Sequence, residues 1–448
     1  MRIFTTDPLF AWNRLEDCPS LAVVNKMLDL LEDTPLLHAL RSYRGHGRND
    51  CPVHVAWRTH LVRYMLRHPT MEACLAELER NPALRKVVGL EEGMKIPAPW
   101  NMSRFLQTLG RPEHLALMSD MFEQMARQLA LAVPELGNSL AGDSSALSGR
   151  ADCDASKTSL PQPDGAKKQY LDDQGKVVRT FEWFGYKFHL LVDMKHEVVL
   201  AFELTPASTA DCTVIASLLR KADKVLPEGR VKTLAYDKAA DSGEVHKLLS
   251  MAGIKPLIEI RNQWKNQTEQ MLPGHDGTSN VVHDEAGTMF CYDKVSSIPG
   301  KRKMSFIGYE KSRGTLKYRC PARHEGIACP SDGRCNGKSS YGKTVRVKCA
   351  LDLRRFPPIP RGTHEFEKRY NGRTAVERTN ARLKLFWGAD DGNVTGAARF
   401  HAHMHTILLV HMGFATLLAM APRHEGRSLS PVRMSVITRR LREATATP

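Results

Sequence analysis

The hydrophobic pattern changes its period near residue 138, and this change constrains the fold more than any other feature of the sequence. Up to about residue 135, apolar residues recur at helical spacing through long segments such as LAVVNKMLDLLEDTPLLHALRSY. From about residue 138, short β-like runs come first, and further runs then alternate with helical segments. We therefore predict an all-helical N-terminal domain followed by an α/β domain with a mixed sheet, in which antiparallel strands precede β-α-β crossovers.

The α/β pattern is interrupted between residues 263 and 357, where turns, charges and scattered β-like runs predict a β-rich insertion. Helical patterns return after it, and the last residues are rich in Pro, Ser, Arg and Thr, which is typical of a weakly ordered tail. The predicted regions are the helical domain 1–135, the first part of an α/β core 136–262, the insertion 263–357, the C-terminal helices of the core 358–422 and the tail 423–448.

The charge of the chain indicates a polyanionic partner. Lys and Arg number 64 against 49 Asp and Glu, which gives a formal net charge of +15. Nucleic acid is the first candidate, and an anionic membrane surface is the second. The N-terminal residues lack the apolar core of a signal peptide, so we expect a cytoplasmic protein. The apolar segment 406–420 is shorter than the ~20 residues that a bilayer requires and contains His411, so we expect a buried core helix and no membrane span.

Basic residues are concentrated in the insertion. Lys301, Arg302 and Lys303 open a stretch to residue 319 that holds further Lys and Arg, interleaved aromatic residues and the single acid Glu310. This composition is typical of a surface that contacts DNA phosphates, and a solvated basic loop is the alternative. The helical domain, with its basic loops, could bind DNA ends or serve as a dimerisation or scaffolding bundle.

Three acidic residues stand at positions where chemistry is expected. Asp143 and Asp237 each end a predicted strand, and they are separated by 237 − 143 = 94 residues. Glu377 lies in the predicted helix YNGRTAVERTNARLK. Three hard oxygen donors from two neighbouring strands and a crossing helix can hold a pair of divalent ions. Asp152 and Asp154 compete with Asp143 for the role of first acid, although no apolar run leads into them.

The predicted helix separates charge from apolar residues. At about 100° per residue, Tyr370, Arg373, Glu377 and Lys384 share an arc of roughly 60°. The opposite face carries apolar residues that can pack against a core, among them Val376. The helix would thus present one carboxylate framed by cations, and an ordinary exposed ion-pair ladder is the alternative interpretation.

The spacing of these four residues resembles the Y-R-E-K signature of bacterial insertion-sequence transposases of the DDE type. LAGDSSAL, WFGYKFHLLVD and AYDKAADSGEVHKLL are similar to the family's strands around its first two acids. The chain departs from the family at Gly142, where a bulky apolar residue is usual, and at Ala239 and Ala240, where the family has Gly and Tyr. These segments and GHGRNDCPVHVAWRTHLVRYML extend the resemblance over residues 40–420.

The resemblance implies a ribonuclease H-like catalytic core that cuts transposon ends and joins them to target DNA. It implies that Asp143, Asp237 and Glu377 hold Mg²⁺ or Mn²⁺, and that the remaining signature residues hold backbone phosphates. The expected partner is double-stranded DNA, bound by a homodimer or higher oligomer at the bacterial nucleoid. A catalytically inactive DNA-binding protein and a stand-alone metal-dependent nuclease are the alternatives.

Four soft ligands in the insertion could form a second metal site. Cys320, His324, Cys329 and Cys335 fall within 16 residues of a segment that is poor in apolar residues. A structural Zn²⁺ ion would stabilise such a segment. Their intervals of three, four and five residues contain no CxxC pair, so reduced and unligated cysteines are the alternative.

Overall fold

The computed structural model describes residues 21–46, 51–151, 158–172, 176–265, 267–272, 279–391 and 394–420. Helices occur at both ends of these ranges and between the strands. The α-helices are α1 Leu21–Leu30, α2 Thr34–Arg44, α3 Val53–Met65, α4 Met71–Arg80, α5 Pro82–Val88, α6 Pro99–Leu109, α7 Pro112–Ala132, α8 Asp211–Val225, α9 Gly243–Met251, α10 Pro321–His324, α11 Asp332–Asn336, α12 His364–Tyr370, α13 Thr374–Trp387 and α14 Ala397–Met420.

The strands form three sheets, of which the largest belongs to the α/β core and the other two lie in the insertion. The strands are β1 Ser139–Ser148, β2 Asp164–Leu171, β3 Val177–Asp193, β4 Val199–Pro206, β5 Thr233–Tyr236, β6 Lys255–Ile258, β7 Gln270–Met271, β8 Val281–His283, β9 Met289–Tyr292, β10 Lys301–Lys303, β11 Ser305–Glu310, β12 Thr315–Arg319 and β13 Thr344–Lys348.

The described part of the N-terminal region is entirely helical, as its period predicts. Thr70 caps α4 by accepting a hydrogen bond from the Ala73 amide at 3.1 Å. Pro112 begins α7, where its missing amide hydrogen costs nothing. The helices share one continuous apolar core with the large sheet, so they are packed against it.

The large sheet is mixed, as the order of strands and helices predicts. Its path β4–β3–β1 is antiparallel, and β1–β5–β6 is parallel, with α8 and α9 as the crossover helices. β2 pairs with the first half of the long strand β3. The sequence did not predict β2, because DGAKKQYL lacks the apolar alternation of a half-buried strand.

The insertion contains two small antiparallel sheets, β10–β9–β8–β7 and β11–β12–β13. They enclose a separate apolar cluster that includes Leu316, Val347 and Phe356. This cluster is far smaller than the main core and separate from it. The boundaries of the five predicted regions stay a prediction.

The long apolar segment near the C-terminal end of the described chain is a buried helix, as predicted. α14 packs against α1, α3, α6 and α7 on one side and against β4 on the other. Its length and hydropathy would also suit a membrane span, but 78% of its apolar window is buried inside the protein. We therefore assign α14 to the core of the fold.

The prediction of one continuous helix over residues 370–384 is wrong, because a short turn divides this segment. Tyr370 ends α12, a 3₁₀ turn covers Asn371–Arg373, and α13 begins at Thr374. Gly372 lies in this turn, and a Cβ atom there would stand 2.3 Å from the Met194 methyl group. The turn thus brings the backbone close to the edge of the sheet, which a continuous helix would not do.

Candidate active site

Asp143 and Asp237 lie side by side on neighbouring parallel strands. β1 and β5 pair Ser139 with Thr233 and Ala141 with Ala235, which is an offset of 94 residues. Asp143 and Asp237 are also 94 residues apart. Each lies two residues after the last pair of this register, Ala141 with Ala235. Parallel neighbours in register are about 4.8 Å apart, so the two carboxylates extend into one site.

The two aspartates differ in their place along the strand. Asp237 follows the last residue of β5 and caps the next 3₁₀ turn, its Oδ1 accepting the Ala239 amide at 2.9 Å. Asp143 lies in the middle of β1, which continues to Ser148 in pairing with β3. The prediction that Asp143 ends its strand is therefore wrong. Asp143 lies level with the end of β5, but β1 continues for five more residues beyond it.

The departure at Gly142 has a steric cause. A Cβ atom at this position would stand 2.0 Å from Cε2 of Tyr236 and 3.0 Å from Leu191. Tyr236 immediately precedes Asp237 and is fully buried. The tyrosine ring thus fills the space beside the first aspartate, and only glycine leaves room for it.

Asp143 sits in an environment that opposes its charge. Burial raises the pKa of Asp143 to about 6, and the charges of Asp237 and Asp211 act in the same direction. The Ser144 amide and the Arg373 guanidinium oppose this rise. A group of carboxylates whose mutual repulsion is only partly compensated is a typical cation site.

Glu377 lies in the first turn of α13. Its Oε1 accepts a hydrogen bond from Arg373 Nη2 at 2.7 Å, and about half of the glutamate side chain is exposed. Burial lowers the pKa of Arg373, but the charges of Tyr370, Glu377, Asp143 and Asp237 outweigh it and raise the pKa overall. Arg373 therefore interacts with all three acids.

α13 is held against the sheet by a buried ion-pair cluster. Glu197 accepts a hydrogen bond from Nε of Arg378 at 2.5 Å and another from Nη2 of Arg382 at 2.7 Å. Val376 and Leu383 are buried on the same helix, as the apolar face predicts. The orientation of the helix that carries Glu377 is thus fixed on the side away from the aspartates.

The other two signature residues lie at opposite ends of this region. The ring of Tyr370 stacks on Phe366 with centroids 5.5 Å apart, and the Arg373 guanidinium lies 5.7 Å from the tyrosine centroid. Lys384 is one turn from the end of α13 and donates to the Ala146 carbonyl of β1 at 2.5 Å. Lys384 thus lies beside the continuation of the strand that carries Asp143.

Lys301, Arg302 and Lys303 line one cavity of about 630 Å³ between the insertion and the start of α12. Each also has an internal partner: Lys301 pairs with Glu269, Arg302 Nη1 is 3.5 Å from Asp293, and Lys303 donates to the Gly362 carbonyl. These contacts are partly exposed, where ion pairs are weak. Their role in contacting phosphates stays a prediction.

The zinc site at Cys320, His324, Cys329 and Cys335 stays a prediction. Nδ1 of His324 lies 3.1 Å from Nη1 of Arg319, and Cys320 accepts the Asn336 side-chain amide at 3.3 Å. The thiol near Cys320 and the other two predicted cysteines is Cys291, which sequence spacing did not suggest. Burial raises the pKa of Cys291 to about 11, and the three neighbouring thiols add to the rise.

In the described ranges, no group of three or more His, Cys, Asp or Glu side chains is arranged to hold a metal ion. This holds for the insertion thiols and for the three acids. The two adjacent aspartates nevertheless offer oxygen donors of the kind that a hard cation prefers.

Two features of the site were not predicted. Asp211, the first residue of α8, adds a fourth acid beside Asp143 and lies 3.4 Å from Nζ of Lys187. Asp241 forms a buried cluster with arginines from the far end of the insertion. The competing acids Asp152 and Asp154 lie outside the described residues.

Comparison with known families assigns the chain. A family model described as the transposase DDE domain matches residues 148–412, more than half of the chain, and begins five residues after Asp143. A second model, described as a transposase domain (DUF772), matches residues 12–108. A search of curated proteins gives no match. The chain therefore belongs to the transposase DDE domain family and is an insertion-sequence DDE transposase, an enzyme that acts on DNA with divalent metal ions.

Proposed function

We propose that Asp143, Asp237 and Glu377 are the catalytic carboxylates of this transposase, and that they bind Mg²⁺ or Mn²⁺. The observation that carries the assignment is the register of β1 and β5, which puts Asp143 beside Asp237. The contact between Arg373 and Glu377 supports the third ligand, because the same guanidinium interacts with both aspartates. The sheet path β4–β3–β1–β5–β6 supports a ribonuclease H-like core.

In this proposal the divalent ions supply an activated water or 3′-hydroxyl and stabilise the leaving oxygen of the phosphodiester. The protein contributes position and charge. Asp143 and Asp237 offer their oxygens from a rigid sheet, whereas Glu377 joins them when its side chain leaves Arg373. The freed guanidinium then binds a DNA phosphate, for which its planar donors are suited.

The remaining roles follow from charge and place. Lys384 extends the positive surface along β1, and Tyr370 orients Arg373 through the contact of guanidinium and ring. Lys301, Arg302 and Lys303 add a second positive surface in the insertion, and the helical N-terminal region binds transposon ends. We place the protein in the bacterial cytoplasm, as a homodimer or higher oligomer on paired DNA ends.

The experiment uses a duplex that carries the inverted repeats flanking the gene, with Mg²⁺ or Mn²⁺. Asp237→Asn and Glu377→Gln should abolish cleavage and leave DNA affinity unchanged, while Arg373→Ala should weaken both. Glu365→Gln is the matched control, because Glu365 forms the same four-residue ion pair with Arg369 on α12. Cleavage by Glu377→Gln at the wild-type rate would refute the assignment.

The products separate the alternatives. Cutting followed by joining to target DNA is the expected result. Cutting without joining would indicate a stand-alone nuclease, and salt-sensitive DNA binding without either reaction would indicate an inactive DNA-binding protein. The mass of the protein–DNA complex in solution tests the proposed oligomer.

A further inference from the structure

One buried carboxylate holds both ends of the insertion. Asp241 lies four residues after Asp237, and its side chain is fully buried. Its Oδ2 accepts the amide of Arg261 at 2.6 Å, where the chain leaves β6 for the insertion. The same oxygen also contacts Nε and Nη2 of Arg354, each at 2.7 Å. Arg354 lies near the end of the insertion, where the chain returns to the α/β core.

Further contacts complete this cluster. Oδ1 of Asp241 lies 3.0 Å from Nε2 of His246 on α9 and 3.8 Å from Nη2 of Arg361. Arg361 in turn donates to the carbonyls of Ile258 and Arg354, at 2.7 and 2.6 Å. The cluster of Asp241, His246, Arg354 and Arg361 therefore joins β6, α9 and the segment that leads into α12.

The carboxylate of this cluster interacts with one arginine from the insertion and one from the segment that follows it. Burial raises the pKa of Asp241, but the His246 hydrogen bond, the Arg261 amide and the two guanidiniums outweigh it, so that the pKa is lowered. Burial lowers the pKa of Arg361 to about 10. A buried carboxylate without its arginines, or the arginines without it, would be an uncompensated charge.

The cluster connects directly to the second catalytic aspartate. A single 3₁₀ turn, Lys238–Ala240, separates Asp237 from Asp241, and Nη2 of Arg261 donates to the Ala239 carbonyl within it at 3.1 Å. The position of the Asp237 carboxylate therefore depends on a turn that is fixed at one end by the cluster. The turn contains no glycine that would let it move independently.

We propose that Asp241 is a positioning residue, which couples the docking of the insertion to the geometry of Asp237 through Arg354 and Arg361. The inference rests on the proposed function, because it assumes that Asp237 is a catalytic ligand. When the insertion is docked, the turn after β5 is held and Asp237 points beside Asp143. When the insertion separates, the turn loses its anchor and the acids lose their alignment.

The test compares Asp241→Asn with wild type in three measurements. Cleavage of the transposon-end duplex should fall by about 10- to 100-fold, and the Mg²⁺ concentration for half-maximal cleavage should rise, as for other residues that orient a metal ligand. The affinity for the uncleaved duplex should stay unchanged. Amide hydrogen exchange over residues 237–242 should accelerate.

Two further variants keep the test decisive. Asp332→Asn is the matched control, since Asp332 forms a two-point ion pair with Arg323 inside the insertion; it should leave cleavage and Mg²⁺ dependence unchanged. Arg354→Lys retains the charge but loses the two-point contact, and it should show the Asp241→Asn effects in weaker form. If Asp241→Asn does not fold, the Arg354→Lys variant alone tests whether the cluster affects cleavage and Mg²⁺ dependence.

Wild-type rates and Mg²⁺ dependence in both Asp241→Asn and Arg354→Lys would overturn the inference. If wild-type protein itself shows no metal-dependent cleavage, the proposed function fails, and hydrogen exchange alone then tests the coupling. Unchanged exchange over residues 237–242 in both variants would overturn it in that case as well.

Discussion

Replacing Asp143 with Asn should stabilise the metal-free protein while it removes cleavage. Burial, with the neighbouring charge of Asp237, raises the pKa of Asp143 from its ordinary 3.8 to about 6. A rise of about two pKa units corresponds to about 3 kcal/mol by which the ionised carboxylate opposes folding. Asparagine has a similar shape and no charge, so burial of this side chain does not destabilise the folded variant in the same way.

The effect has a defined pH dependence. Between pH 3.8 and about 6, folded Asp143 holds a proton that the unfolded chain has released. At this residue the folded state binds more protons in this window, so the contribution of Asp143 to the stability of wild type falls as pH rises through it. The advantage of Asp143→Asn should therefore be small below pH 4, grow across the window and reach its full size above pH 6.

Urea unfolding in the presence of a chelator, followed by tryptophan fluorescence at pH 5 and pH 8, measures this difference. Added Mg²⁺ should stabilise wild type and have little effect on Asp143→Asn, because only the wild type retains both aspartates. Asp241→Asn is the control with opposite sign, since the pKa of Asp241 is lowered and its loss should destabilise. An Asp143→Asn variant that is less stable than wild type at pH 8, or a difference that does not change with pH, would refute the reasoning.

Three other changes have expected outcomes. Gly142→Ala should lower the free energy of unfolding by about 1–3 kcal/mol, because its methyl group overlaps the Tyr236 ring, and the added substitution Tyr236→Val should recover part of the loss in a denaturation assay. Stability should fall as pH drops below about 6.5, because burial lowers the pKa values of His403 and His411 to about 3 and only the unfolded chain takes up their protons; a flat profile from pH 6.5 to 4 would contradict this. Lys384→Ala should reduce the slope of log affinity against log salt by about 0.9 in a DNA-binding titration, as expected for one lost phosphate contact.

The parts of the fold that depend on local pattern were predictable. The helical region, the mixed sheet and the buried helix α14 each have a hydrophobic period that burial requires. β2 was missed because its sequence is polar, and the break at Gly372 was missed because it depends on the approach to Met194, which is distant in sequence.

The candidate site was predictable to the extent that its residues follow local patterns. Asp143 and Asp237 follow apolar runs, and their offset of 94 residues is also the register of their strands. The contacts of Asp241 were not predicted, because its partners Arg354 and Arg361 lie on the far side of the insertion in sequence. Gly142 looked like an unexplained departure until the fold put Tyr236 against it.

The position of α14 has a consequence for how the chain must be completed. The first helices to leave the ribosome, α1, α3, α6 and α7, share an apolar interior with α14, which is made last among the described elements. Until that helix arrives, the parts of their apolar faces and of β4 that pack against it stay uncovered. A product truncated before residue 397 would therefore lose its N-terminal helices as well as its sheet, and we expect it to be degraded rather than to persist as a separate DNA-binding fragment.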